Sequence, residues 1–223
     1  MSAFVLGVLS SILATALTVT AGWVVSPWAR QLPITLLSRL TGLGLRRLYL
    51  QQRLANLDLP AELVRARWVK VLAGRGNEMT RDGFAAVWQN IGKRLRSVEI
   101  LLPDPELGPA SWLAMREAEL LRIDPGFAVG LLGEQIRLNA AYITAATSDR
   151  QDVRLRFYDL PNLHRVIVTD RVAYLTIYGP AEHGRNSPCL EARRPGLLYD
   201  YALLLFATAW EHSRPASVAS TEH

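Results

Sequence analysis

The chain has 223 residues, half of them hydrophobic, and a formal net charge of +5. That length suits one domain of ordinary size with an appendage. A single cysteine, Cys189, rules out an intrachain disulfide and a multi-cysteine metal site, and the basic excess favours anionic partners, either lipid head groups or phosphates.

In chain order, the first expectation is a transmembrane helix over 1–25. Residues 3–25 (AFVLGVLSSILATALTVTAGWVV) carry no charged side chain, and about 20 apolar residues cross a bilayer as a helix. Trp23 and Trp28 stand at its end, where aromatic rings favour the interface, and Ser26-Pro27 ends or kinks it. Between Ser26 and Arg75, nine basic residues face only Asp58 and Glu62. Positive flanks stay inside, so a single-pass inner-membrane protein with a cytoplasmic C-terminal domain is expected. Gly7, Ser10, Ser11, Ala14, Thr18, Ala21 and Gly22 recur at spacings of three and four, a small-residue stripe that suits a homo-oligomer.

Residues 26–60 alternate leucines with arginines at helical spacing. They read as an amphipathic juxtamembrane connector resting on membrane lipid or joining protomers. Residues 61–213 then read as an α/β domain. Trp68–Ala73 is a first strand and Gly74-Arg75-Gly76-Asn77-Glu78 a loop. A helix follows from Thr80 to about Arg96, with Phe84, Val87, Trp88, Ile91 and Leu95 on one face. Val98–Leu102 is a second strand, closed by Pro103-Asp104-Pro105. Helices are expected over about Ser111–Arg122 and Phe127–Thr147. Between Val153 and Arg193, short runs rich in Val, Ile, Leu, Tyr and Phe alternate with turn residues, as consecutive strands do. Leu197–His212 is a closing helix, and 214–223 a disordered tail. The alternation implies a mixed sheet with helices on both faces.

The polar residues of the strand cluster carry a resemblance. Leu163-His164-Arg165-Val166-Ile167-Val168-Thr169-Asp170, then Val172–Gly179 and Asn186, resembles the His-x-Lys-x4-Asp motif, strand and Asn loop of the phospholipase D family. Together with the element order, it looks like one half of that fold. Aligned on Asp170, Arg165 takes the lysine position and Leu163 the histidine position. His164 is one residue out of register, and one step along a strand turns a side chain to the other face. The stretch Asn162–Trp210 also resembles an actinobacterial domain family of unknown function, through Tyr178-Gly179, Pro188-x-Leu190 and the final helix.

The resemblance implies a phosphate- or nucleotide-related pocket. His164 is the candidate catalytic nucleophile, and Arg165, Arg185, Asn186 and His183 are the candidate ligand contacts. No metal spacing and no cofactor fingerprint occurs, and Gly74-x-Gly76 fits neither a dinucleotide fingerprint nor a P-loop. The leading expectation is a sensor or effector. It binds a nucleotide or oligonucleotide and passes the signal to an oligomeric membrane span, with altered permeability as a defence output. A membrane-tethered dimeric phosphodiesterase or nuclease is the alternative, and a structural membrane adaptor the third.

Overall fold

A computed structural model of the chain describes residues 7–8, 11–15, 17–18, 27–80, 82–90, 93–124, 126–161, 163–179 and 184–216. Its centre is one eight-stranded mixed sheet. The strands are β1 (Leu45–Tyr49), β2 (Trp68–Leu72), β3 (Ser97–Pro103), β4 (Val153–Tyr158), β5 (His164–Thr169), β6 (Val172–Ile177), β7 (Cys189–Arg193) and β8 (Ser213–Pro215). The helices are α1 (Pro27–Leu40), α2 (Gln52–Val64), α3 (Ala85–Trp88), α4 (Trp112–Ile123), α5 (Leu131–Ala146) and α6 (Leu197–Glu211).

The strand order is β1-β7-β6-β5-β2-β3-β4-β8. β2, β3 and β4 run parallel, joined by crossovers that hold α3 and then α4 and α5. β5 lies antiparallel to β2, and β6, β7 and β1 continue antiparallel outward. The two-residue period of a strand sorts side chains into two cores. Val69 and Val71 of β2, Ile100 of β3 and Ile167 of β5 meet Ala55, Leu59 and Leu63 of α2 and Ile136 and Ile143 of α5. Leu72, Leu101, Val166 and Val168 meet Tyr199, Ala202, Phe206 and Ala209 of α6 on the other side. Both faces of the sheet are therefore helix-covered, which is why its central strands read as apolar runs rather than as strict alternation.

Several expectations need correction. No helix among the described residues is long and apolar enough to cross a membrane. The described helical residues of the N-terminal stretch are 7–8, 11–15 and 17–18, and the rest of it lies outside the described residues. Hydroxyls interrupt its apolar character, with Thr15 and Thr18 donating back to the carbonyls of Ser11 and Ala14. The fold class therefore loses its transmembrane helix, and the single-pass inner-membrane placement and the membrane-lipid partner have no helix to rest on. The small-residue stripe falls partly outside the described residues, at Ser10, Ala21 and Gly22.

The stretch 26–60 is also more than a connector. It supplies β1, which pairs with β7, and most of α2, so the boundary placed near 60 falls inside a helix. The helix expected over 80–96 is reduced to a 3-10 turn and the four residues of α3. Asn90 and Lys93 have φ of 46° and 48°, which end it, and the Asn90 side chain brackets the backbone of Leu95 instead. At the C-terminus, 213–215 add the edge strand β8, held by Arg214 donating to Asp104. Residues 217–223 lie outside the described residues.

Candidate functional site: an arginine-lined cleft

A cleft of about 490 Å³ opens beyond the carboxyl end of β2. Parallel strands leave such a crevice where the chain leaves the sheet in different directions. Here β2 is flanked by parallel β3 on one side and antiparallel β5 on the other. The cleft is lined by the first turns of α2, the loop 73–79 after β2, the inward face of α4 and the start of β5 with Tyr178 and Gly184, and Phe84 and, from α5, Leu132 add to it.

The loop after β2 is built to turn sharply. Gly76 has φ +84°, and a Cβ there would lie 3.0 Å from Leu102 Cδ2 and 3.1 Å from Met79 Cε. Glycine is the residue that this conformation and this space accept. Asn139 of α5 fixes the loop from behind, donating to the Arg75 carbonyl at 2.8 Å and to Asn77 Oδ1 at 2.6 Å. Arg75 is thereby carried into the cleft, with its guanidinium 5.7 Å from the Phe127 ring and in contact with Gln135 at 3.4 Å. Burial, then the like charge of Arg116, pulls the Arg75 pKa down. Arg116 stands one helical turn after Trp112 on α4, so both line the cleft from the same face. It pairs with Glu119 at 2.8 Å, whose side chain is half exposed.

Arg165 enters from the start of β5 and is 4% exposed. Its guanidinium meets Glu78 Oε2 at 2.5 Å and donates to Asn56 Oδ1 at 3.1 Å. Glu78 Oε1 accepts from Asn56 Nδ2 at 3.1 Å and from Gln52 Nε2. Arg165 is thus held by a carboxylate, and it closes the floor of the cleft. Tyr178 lies among these charges. Burial pushes its hydroxyl up to about 12, against the pull of Arg165, Arg75 and Arg116. Gly184 packs on it so tightly that a Cβ there would lie 2.6 Å from the ring.

The sequence candidates scatter. Arg165 is in the cleft. His164, next along β5, points to the opposite face, into a smaller groove between Tyr158, Leu163 and Leu204, where burial lowers its pKa. Asn186 is exposed in the short turn Gly184–Asn186, the Arg185 side chain is not among those described, and His183 lies outside the described residues. Asp170 sits at the far end of β5 from Arg165, about 16 Å away along an extended strand. Its Oδ1 accepts the Arg67 N–H at 2.8 Å.

Among the described residues that line the cleft there is no histidine, cysteine, serine or threonine. No group of carboxylates, histidines and cysteines among the described residues has the arrangement to hold a metal ion. The residues that sequence reasoning passed over are Arg75, Glu78, Trp112 and Arg116. A signal for the first two was present in the Gly-Arg-Gly-Asn-Glu loop at a strand end. Trp112 and Arg116 show only as a four-residue spacing on an ordinary helix.

No protein-family model matches the chain, the actinobacterial domain family therefore finding no counterpart there, and no curated protein matches it. Among solved structures, TrmBL2, an archaeal chromatin protein with a novel mode of DNA binding, aligns over 92% of this chain and 68% of its own, at 14% identity and TM-score 0.46. NucT from Helicobacter pylori aligns over 76% of this chain and 97% of its own, at 10% identity and TM-score 0.45. Nuc from Salmonella typhimurium, a phospholipase D family member, aligns over 74% and 91%, at 11% identity and TM-score 0.41. The chain is similar in arrangement to a phospholipase D family member. At these identities no residue of those proteins carries a role across to this chain.

Proposed function

We propose that the chain is a binding module for a phosphate-bearing ligand, a nucleotide or a nucleic-acid strand, held in the cleft beyond β2. One observation supports this above the others. Arg53 and Arg75 line the cleft with no ion pair among the described residues, Arg116 beside them pairs with the half-exposed Glu119, and Glu78, the carboxylate among the described lining residues, is already engaged by Arg165. Positive charge in a partly buried cleft is costly until an anion enters, and the lowered Arg75 pKa has that same origin. Guanidinium groups hold phosphate through paired hydrogen bonds, with no proton transfer required.

Binding rather than hydrolysis is the reading, because a covalent phosphodiesterase needs a nucleophile beside its phosphate-holding cations and His164 faces away from Arg165. The test is titration of the purified chain with a labelled nucleotide. Arg75→Ala and Arg116→Ala should each weaken binding at least about tenfold, the size expected for one charge-assisted hydrogen bond. His164→Ala should leave binding within about twofold. Wild-type affinity in both arginine variants would overturn the reading, as would phosphodiester hydrolysis that disappears in His164→Ala.

A further inference from the structure

The cleft lining mixes charged and apolar side chains. Arg75 and Arg116 supply charge, and α4 also presents Trp112, one turn before Arg116, together with Leu120, while Leu132 of α5 joins them on the lining. Trp112 packs partly against the core, stays half-buried and lines the cleft. An aromatic side chain one helical turn from a guanidinium matches a nucleotide, whose base and phosphate lie a few bonds apart. Inorganic phosphate would give that side chain nothing to stack on. Base–aromatic stacking is sequence-tolerant because every base has a π-face. It also requires an unpaired base, since a duplex keeps its bases stacked on one another.

We propose that the cleft takes one unpaired nucleotide unit, its base stacked on Trp112 and its phosphate between Arg75 and Arg116. This rests on the phosphate-binding reading above. The shared chemistry is a base joined to a 5′-phosphate, which either a free nucleotide or the end of a single strand supplies.

Four probes separate the possibilities: pyrophosphate, ADP, a short 5′-phosphorylated single strand and the matching blunt duplex. The wild-type chain should bind ADP at least about tenfold tighter than pyrophosphate, a factor within the range that stacking one base supplies. Trp112→Ala should remove that preference while leaving pyrophosphate binding within about twofold, and Trp112→Phe should restore most of it. Comparable affinities for ADP and the single strand place the ligand as one unit. A single strand bound at least about tenfold tighter than ADP places it as a strand end, and the proposal holds in both cases. Two results overturn it while sparing the phosphate reading: pyrophosphate bound as tightly as ADP, or a duplex bound as tightly as the single strand. A chain that binds none of the four loses both readings. A Trp112→Ala chain that fails to fold leaves the decision to Trp112→Phe and to the wild-type comparison of ADP with pyrophosphate.

Discussion

Arg165 was the residue most directly suggested by the motif, and its surroundings give it a different task from the one the motif implies. With its side chain 5% exposed against Glu78, it neutralises the carboxylate that would otherwise repel a phosphate from the cleft. Arg165→Ala should therefore destabilise the fold by about 3 kcal/mol, because it strands Glu78 in a partly buried site. Adding Glu78→Gln to Arg165→Ala should recover at least about 1 kcal/mol, since the stranded charge is then gone. Urea unfolding of the single and double variants measures both, and equal losses in the two would show that Arg165 acts through Asn56 and packing alone. The facing of His164 away from the cleft was legible from one residue of register, because a strand alternates strictly. The identity of Arg165's partner was not. Glu78 lies 87 residues earlier in the chain, and the pairing depends on β2 and β5 becoming neighbours in the sheet.

At the scale of elements, the strands and the closing helix were readable because their signals are local: β-branched runs between turn residues, and a long apolar period. β1 was hidden because LRRLY has no β-branched residue and carries two adjacent arginines. It becomes one by pairing with β7, where Arg46 and Tyr49 both donate to the buried Glu191 at 2.9 Å. The stretch before it, Gly42 to Gly44, serves another element. The carbonyls of Gly42 and Leu43 accept the Leu197 and Leu198 N–H groups, two of the orphan donors at the start of α6. Gly44, at φ +73°, then passes so close to Gly196 that a Cβ on it would lie 2.7 Å from the Gly196 Cα and 2.9 Å from the Arg193 carbonyl oxygen. These are backbone atoms and cannot swing away. Gly44→Ala should cost about 2 kcal/mol or more, from the left-handed backbone and the clash together. Gly42→Ala has open space around its added Cβ and should cost only the conformational part, about 1–2 kcal/mol. Thermal unfolding of the two variants side by side measures the difference, and equal losses would remove the close approach as a cause.

For the whole molecule, the +5 net charge left open whether an anionic partner meets a broad basic surface or a single point. Much of the charge is already spent within the fold. Arg46 faces Glu191, Arg47 faces Asp58, Lys70 and Arg154 face Glu99, Arg150 faces Asp152 and Arg214 faces Asp104. Charges paired in this way are less available to a polyanion than unpaired ones. The cleft brings Arg75, which has no ion pair among the described residues, beside Arg116, whose partner Glu119 is half exposed to solvent. The difference shows in salt dependence, because each phosphate neutralised on a single strand contributes a slope of about −0.7 in log K against log salt. One phosphate held between Arg75 and Arg116 gives a slope of about −0.7, and Arg75→Ala should make it shallower still. Titration of the single strand across a range of salt concentrations measures this directly. A slope steeper than about −4 would require more than five phosphate contacts and would place recognition on an extended surface rather than in the cleft.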